Sequence, residues 1–231
     1  HEVAALRIEV IVRNYLTGSM WRAYQSGRRS FCGLDIPDGL TKNQRFETPL
    51  ITPTTKGEKD EEISAEDLVA RGLATQEQWD TIAKAATALF ARGSELLAEK
   101  QLLLVDTKYE FGVFDGKVVL IDEIHTPDSS RIWPAEQYET DPESVESLDK
   151  EYVRAFLMKA KKSGQMPKSL PADVAEETSR RYQDLFQRVT GTPFEGESGE
   201  IGRRMAVNLK HAALVRDGFV AICMGSMGDI A

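Results

Sequence analysis

Three ionisable side chains, Asp106, Lys108 and Glu110, occupy alternate positions of one segment, and a further carboxylate, Asp122, follows shortly after them. Because a β-strand has a period of two, the first three side chains would share one face of a strand. A carboxylate pair such as Glu110 and Asp122, with a lysine beside it, suits Mg²⁺, which prefers oxygen ligands and completes its coordination shell with water and substrate phosphates. The spacing therefore indicates a site for a hard cation.

The elements that must position these residues are the two strands of a predicted β-hairpin. Residues 102–105 and 118–121 are continuous apolar runs bounded by turn signals, which is typical of strands that are covered on both faces. Asp115-Gly116 lies between the two runs and is a strong hairpin signal. The charged residues therefore follow or flank buried strands.

The register of this hairpin decides which charges meet. A two-residue loop would set Glu110 opposite Ile121 and send Asp122 to the other face of the sheet. A three-residue loop at residues 114–116, with the glycine in the left-handed conformation of a bulge, would set Lys108 opposite Asp122 and leave Glu110 diagonal to it. We predict the three-residue loop, because it gathers Lys108, Glu110 and Asp122 into one site.

The segment that follows, residues 125–131, carries groups that bind anions. It leaves the strand through a proline and offers a carboxylate, two hydroxyls and a guanidinium, which suit a small anionic ligand. A structural ion pair between Lys108 and Asp122 is the plain alternative, since most charged pairs on strands are only solvated or paired. The neighbouring anion-binding groups favour the functional interpretation.

Four motifs of the sequence read DTKYEFG, LIDEIHTPDSSR, IEVIVRNYLTGS and PLITPTTK. They resemble the phosphoribosylaminoimidazole-succinocarboxamide synthase (SAICAR synthetase) family of purine biosynthesis, within a similarity that runs over about residues 8–191. The resemblance implies an α+β fold, the larger lobe of an ATP-grasp-like enzyme, with an antiparallel sheet flanked by helices. It also implies an ATP-dependent ligase, which activates the carboxylate of carboxyaminoimidazole ribonucleotide as an acyl phosphate and joins it to L-aspartate.

The resemblance also assigns roles to single residues, with ATP as cosubstrate and Mg²⁺ as cofactor. Glu110 and Asp122 match the metal ligands, and Lys108 would neutralise charge near the nucleotide phosphates or the reacting carboxylate, so these three form the predicted catalytic set. Lys108 and Asp122 are also predicted to face the nucleotide. Positions matching the ribonucleotide site are Arg13, Ser19, Asp128, Ser129 and Arg131, with Lys56 as a weaker candidate for the carboxylate end. Asp106 belongs to the motif without an assigned role.

The composition argues against several other classes of protein. A net charge of −8 over 231 residues, without a basic stripe, argues against nucleic acid as the main partner. No apolar run reaches transmembrane length, and the N-terminus has no basic-then-apolar signal. Cys32 and Cys223 are isolated, as is usual for reduced thiols. We therefore predict a cytoplasmic protein whose partners are its two small substrates, with no nucleic acid and no membrane.

The predicted organisation has three parts: a catalytic lobe at residues 1–191, a linker at 192–202, and a helix with a strand at 203–231. Members of the family carry an N-terminal lobe with a glycine-rich loop over the ATP phosphates, and we expect that lobe to be missing here. FVAICMGSMGD resembles the opening of the carboxyaminoimidazole ribonucleotide mutase or carboxylase family, with Gly228 where a serine is usual. We favour a remnant or truncated domain over the edge of a fused enzyme; fusion to, or association with, another purine-pathway enzyme stays open.

Helices are predicted in three places within the first part. Thr75 and Gln78 form a capping box before a helix whose apolar residues follow at three- and four-residue steps. A helix over residues 149–162 places Asp149, Lys150 and Arg154 either toward the active site or simply at a helix start. A third runs from Pro171 to Gly191. The acidic segment after residue 133 is predicted to be a surface loop.

Two functions other than the ligase are also compatible with these residues. A metal-assisted nucleotide phosphohydrolase could use the same carboxylates and would not require aspartate. A non-catalytic module could bind the ribonucleotide without turnover, although such a module has no need of a metal-binding carboxylate pair.

Overall fold

The computed structural model describes residues 3–57, 59–196 and 200–211. The chain divides into two compact units, residues 1–192 and 193–231. The strands of the first unit are β1 (Ala4–Tyr15), β2 (Ser30–Phe31), β3 (Leu34–Asp35), β4 (Arg45–Thr55), β5 (Leu102–Phe114), β6 (Lys117–Ile121) and β7 (Ser130–Pro134). Its helices are α1 (Gly18–Gln25), α2 (Ala65–Ala70), α3 (Gln76–Ala98), α4 (Ala135–Thr140), α5 (Glu151–Lys162) and α6 (Ala172–Thr190).

The second unit contributes one described helix, α7 (Ile201–His211). The helix predicted within residues 203–231 is therefore present, although it begins two residues earlier. The predicted strand at residues 219–224 lies outside the described residues. The roles assigned to the linker and to the end of the chain stay predictions.

Strand β5 is the centre of an antiparallel sheet with the order β4-β1-β5-β6. One edge of β5 pairs with β1 along most of its length. The other edge is shared, because the first half of β5 pairs with β7 and the second half with β6. The prediction of an α+β fold with an antiparallel sheet and flanking helices is confirmed.

The turn between β5 and β6 has two residues, so the predicted three-residue loop is wrong. Phe114 pairs directly with Lys117, and both residues between them, Asp115 (φ 50°) and Gly116 (φ 73°), have left-handed backbones. Two consecutive positive φ angles are what a type I′ hairpin turn needs, and Asp-Gly supplies them at little steric cost. The tight turn matches the twist of the strands without an inserted bulge.

This register places Glu110 opposite Ile121, and the expected pairing of Lys108 with Asp122 is absent from the described residues. Asp122 lies just beyond the last strand pair and has a left-handed backbone with φ 66°. The alternation of the strand therefore ends before Asp122, so the period of two does not set the direction of its side chain.

Helix α3 covers the apolar face of the sheet, and the predicted capping box at its start is confirmed. The Thr75 hydroxyl accepts a hydrogen bond from the Gln78 backbone N–H at 3.2 Å, and the Gln78 side chain accepts one from the Thr75 N–H at 2.9 Å. The residues of α3 buried against the sheet are Trp79, Ile82, Ala86, Phe90 and Leu97. Leu97 at the end of the helix faces the sheet, whereas the adjacent Leu96 is 45% exposed.

The first part of the acidic segment after β7 forms α4, whereas residues 141–148 have no helix or strand, as predicted. Tyr138 of α4 stacks on Trp133 with ring centroids 5.6 Å apart and meets Tyr15 edge-on at 5.2 Å. This aromatic contact holds the short helix on the sheet, which composition alone did not reveal. Helices α5 and α6 lie where they were predicted, and Gly191 ends α6 with φ 76°. None of the described helices is long and apolar enough to cross a bilayer.

His125 packs into the core side of the structure. Its Nε2 lies 2.6 Å from the Tyr109 hydroxyl, and burial lowers the pKa of its imidazole. The ring also lies against Gly93 of α3, where an added Cβ would come within 2.5 Å of the His125 Nδ1. The histidine therefore ties the loop after β6 to α3, and only a glycine leaves room for it.

We expect Gly93→Ala to destabilise the protein by about 1–3 kcal/mol, because overpacking exceeds the gain in helix propensity of about 1 kcal/mol. Thermal unfolding followed by circular dichroism would measure the change. In a His125→Ala background the same substitution should cost little or stabilise. A melting temperature that is unchanged or raised by Gly93→Ala alone would contradict this packing.

Candidate active site

A cavity of about 480 Å³ opens on the polar face of the sheet. Its lining comes from β1, β5, β7, α1, the loop entering β7 and the start of α5, together with Asp60 from the segment after β4. Because β1 and β5 alternate, their apolar residues pack under α3 while Glu9, Arg13, Asp106 and Lys108 face the cavity. The predicted sharing of one face by Asp106 and Lys108 is therefore confirmed.

The cavity brings together most of the residues predicted for the ribonucleotide site. Those that line it are Arg13, Ser19, Asp128, Ser129 and Arg131, and the predicted catalytic residue Lys108 lines it as well. Lys56, Glu110 and Asp122 are not part of this lining; Lys56 and Glu110 form a second cluster that shares Lys108 with the cavity. The contacts among Lys56, Lys108 and Glu110 are established, and the individual roles of the predicted residues stay predictions.

Asp106 lies between two arginines on neighbouring strands. It is the cross-strand partner of Arg13 on β1 and of Arg131 on β7. Its Oδ2 accepts hydrogen bonds from Arg131 Nη1 at 2.5 Å and from Arg13 Nη1 at 3.4 Å. Arg13 Nε also donates to the Thr52 hydroxyl at 2.9 Å. The three charges therefore form one row across the sheet, with two cations held by one carboxylate.

The pKa values of the two buried arginines are shifted in opposite directions. For Arg131, burial alone would lower the pKa, but the charges of Asp106, Glu151 and Asp149 outweigh it and raise the pKa. For Arg13, burial lowers the pKa and the charge of Asp106 offsets only part of that effect. Arginine stays protonated in either case, so the row keeps two cationic guanidinium groups in the lining of the cavity.

Gly18 gives Arg131 the room that this arrangement needs. Its backbone is left-handed, with φ +59°, and an added Cβ would lie 2.9 Å from Arg131 Nη2. Glycine satisfies both conditions, since it has no Cβ and tolerates positive φ. The adjacent Ser19 and the next turn of α1, which carries Arg22, line the cavity beside this arginine.

A second cluster of charges, formed by Glu9, Lys56, Lys108 and Glu110, adjoins the cavity. Lys108 Nζ lies 3.0 Å from Glu9 Oε1 and 2.8 Å from Glu110 Oε1, and Lys56 donates to Glu110 Oε2. Glu9 and Glu110 are cross-strand neighbours, and two like charges in that position repel. The lysines therefore stabilise the carboxylates as ions.

The pKa values of this cluster follow from the same contacts. Burial alone would raise the pKa of Glu110, but hydrogen bonds from Lys108 and Lys56 outweigh it and lower the pKa. Burial alone would lower the pKa of Lys108, and hydrogen bonds to Glu110 and Glu9 raise it instead. Lys108 is therefore held as a cation, which suits charge neutralisation and does not suit a general base.

The donor set fits Mg²⁺ only as a site shared with a ligand. Within the described residues no group of three or more His, Cys, Asp or Glu side chains is arranged to hold a metal. Both oxygens of Glu110 contact ammonium groups, while Asp122 is exposed and makes no hydrogen bond or ion pair in the described part of the chain. Mg²⁺ commonly uses one or two protein carboxylates together with water and phosphate oxygens. Glu110 and Asp122 offer the right donor atoms, and their binding of one ion together stays a prediction.

Several residues of the site escaped the sequence reasoning. Glu9 alternates with Ile11 and Arg13 on β1, so the period of two contained its signal. Arg22 follows Ser19 by one helical turn, which places both on one side of α1. No pattern in the sequence indicated Glu151, because its contacts depend on how α5 packs against β7.

Asp149 and its neighbours satisfy both interpretations offered for the start of α5. Asp149, Lys150 and Arg154 all line the cavity. Asp149 is also a buried anchor, since it accepts hydrogen bonds from the Ile132 N–H at 3.1 Å and the Glu151 N–H at 2.7 Å. Burial raises its pKa although Arg131 and these donors oppose that effect.

Comparison with known proteins identifies similar sequences over most of the chain. The family model described as SAICAR synthetase matches residues 1–169. A Bacteroides fragilis protein named phosphoribosylaminoimidazole-succinocarboxamide synthase is 46% identical over 213 residues, covering 87% of this chain and 68% of that protein. A Legionella pneumophila protein of the same name is 41% identical over 218 residues, covering 88% and 70%.

The fold is also similar to that of a solved structure. The SAICAR synthase of Saccharomyces cerevisiae in complex with SAICAR has a TM-score of 0.71 to this chain at 32% identity, covering 85% of this chain and 64% of that one. The chain thus spans about two thirds of the length of the proteins it matches, from 64% to 70% in these three comparisons.

We expect Asp106→Asn to cost about 3–5 kcal/mol of unfolding free energy, because buried Arg13 loses its counter-charge and buried Arg131 loses one of the two carboxylates that it pairs with. Asp184→Asn is a matched control, since Asp184 pairs with Arg188 at 3.0 Å on the exposed side of α6. That surface pair should contribute less than about 1 kcal/mol. Urea unfolding of both variants would test the difference, and equal losses would contradict the role of the arginine row.

Proposed function

The chain belongs to the SAICAR synthetase family, and from that premise we propose that it forms part of an ATP-dependent ligase of purine biosynthesis. The reaction would join L-aspartate to the carboxylate of carboxyaminoimidazole ribonucleotide. The carboxylate oxygen takes the terminal phosphoryl group of ATP, which releases ADP and gives an acyl phosphate. The amino group of aspartate then forms the amide as phosphate leaves.

The observation that carries this proposal is the row Arg13, Asp106 and Arg131 beside the hydroxyls of Ser19 and Ser129. All five line one cavity. Guanidinium groups bind phosphate through paired N–H donors, and hydroxyls add further donors. Both guanidinium groups remain charged in the cavity lining, so they can donate hydrogen bonds to an anion. The cavity therefore supports a phosphate-bearing ligand such as the ribonucleotide.

The second cluster suits the reacting end of that ligand. Lys108 belongs to both the cavity and the cluster, so a ligand anchored by its phosphate at the arginines would have its far end near Lys108 and Lys56. Fixed cations there stabilise charge that develops during phosphoryl transfer. Since Lys108 is held protonated by Glu9 and Glu110, its proposed role is electrostatic.

We assign Glu110 and Asp122 as the carboxylates that would hold Mg²⁺. When bound, that ion would neutralise charge on the phosphates of ATP. The lysines that hold Glu110 in its ionised form preserve the charge that a metal ligand needs. A cytoplasmic location, and a fusion to or association with another purine-pathway enzyme, stay predictions.

The decisive experiment is ADP release by the full-length natural protein with Mg-ATP and carboxyaminoimidazole ribonucleotide, with and without L-aspartate. A strong dependence on aspartate is the expected result. Release that is indifferent to aspartate would favour a phosphohydrolase instead. Ribonucleotide binding without any ADP release would favour a binding module.

Removing either proposed metal ligand should abolish the magnesium-dependent reaction. We expect Glu110→Gln and Asp122→Asn to lower kcat by at least about 100-fold, as loss of a charge-stabilising group does in other enzymes. Asp115→Asn is the control at the opposite end of the same hairpin, because Asn-Gly also suits the type I′ turn. Initial rates across a magnesium titration, with circular dichroism to verify folding, would measure the effect. Retained turnover in either variant would remove that residue from the metal site.

A further inference from the structure

A single carboxylate oxygen ties together two arginines of the cavity. Glu151 Oε2 accepts hydrogen bonds from Arg131 Nη2 at 2.9 Å and from Arg154 Nη1 at 2.8 Å. Both arginines line the cavity, whereas Glu151 lies behind them and lines the neighbouring pocket. Glu151 is therefore placed to act on the cavity through these two side chains and not as part of its lining.

Arg131 is held at both ends of its guanidinium. Nη1 donates to Asp106 on β5, and Nη2 donates to Glu151 at the start of α5. Asp106 alone would leave the group free to rotate about that one contact, whereas a second carboxylate at the other nitrogen fixes its plane. The orientation of the arginine thus depends on a residue from a different element.

Glu151 is itself anchored before it reaches the arginines. Its backbone N–H donates to Asp149 Oδ1 at 2.7 Å, and Asp149 Oδ2 accepts from the Ile132 N–H at 3.1 Å on β7. These contacts fix the start of α5 against the strand that carries Arg131. The backbone contacts therefore fix the position of Glu151, independently of its ion pairs with the arginines.

The charge of Glu151 also keeps two like charges together. Burial alone would raise its pKa, but Arg131 and Arg154 outweigh burial and lower it, so the carboxylate is ionised at neutral pH. Arg154 is an exposed helix residue, and without this carboxylate its guanidinium would be repelled by Arg131. A neutral side chain of the same shape would not hold the two guanidinium groups together.

We propose that Glu151 is a positioning residue, which sets Arg131 and Arg154 together toward an anionic group of the ligand in the cavity. This inference rests on the proposed function, because it takes the ligand to be the phosphate-bearing ribonucleotide. The chemical consequence is a preformed pair of guanidinium groups. Pre-organisation of that kind lowers the cost of binding without taking part in the reaction.

The test compares Glu151→Gln with Glu177→Gln in the full-length protein. Glu177 is a matched control, because it also holds two arginines, Arg180 and Arg181, each at 2.7 Å, but on α6 outside the cavity lining. We expect Glu151→Gln to raise KM for the ribonucleotide about tenfold, with kcat and KM for ATP within about twofold. Glu151→Asp, which keeps the charge, should recover part of the loss, and Glu177→Gln should leave all three constants unchanged.

Calorimetric binding of carboxyaminoimidazole ribonucleotide separates this inference from the proposed function. If the wild-type protein binds the ribonucleotide but is not a ligase, weaker binding by Glu151→Gln alone would still support the positioning role. In an Arg154→Ala background the effect of Glu151→Gln should shrink, because one of its two partners is already gone. Equal affinities for wild type and Glu151→Gln, or equal losses in Glu151→Gln and Glu177→Gln, would overturn the inference.

Discussion

The carboxylate of Asp106 is the charge on which the rest of the site depends. Arg13, Asp106 and Arg131 are cross-strand partners on three adjacent strands, and all three side chains are almost fully enclosed. Burying one such charge without a partner costs several kcal/mol, whereas a hydrogen-bonded group of opposite charges is tolerated. The row therefore requires the register of β1, β5 and β7 to be kept, and that register in turn delivers two arginines to one cavity.

One face of the sheet forms the apolar core, and the other face carries the charged residues of the cavity. On one face Tyr109 and Phe111 alternate into a core with Ile82 and Phe90 of α3. On the other face the intervening positions of the same strands carry charges, and Lys108 joins the arginine row to the cluster around Glu110. Because the side chains of a strand alternate, each residue that strengthens the core also fixes the position of its charged neighbour. A rigid apolar layer behind the charges keeps them in place.

The elements of this protein follow from local rules that act within a few residues. Apolar runs predicted β5 and β6, a capping box predicted the start of α3, and Pro171 with Gly191 bracketed α6, each as observed. The predictions were wrong where the sequence allowed two local conformations or where a tertiary contact determined the local structure. Asp115-Gly116 allows both a two-residue and a three-residue loop. Helix α4 is held by the contacts of Tyr138 with neighbouring Trp133 and with Tyr15, which lies far away along the sequence.

By itself the sequence determined the fold class, the family, and the alternation that puts Asp106 and Lys108 on one side of a strand, since these depend on composition, motif and a period of two. Tertiary structure decided which charges meet. Glu9 reaches Lys108 across 99 positions and Arg13 reaches Asp106 across 93; these contacts exist only because strands distant in the chain pair in one register. Glu151 touches Arg131 only because Asp149 fixes α5 against β7. Electrostatic contacts act over a few ångströms in space, and that distance is set by packing and not by separation along the chain.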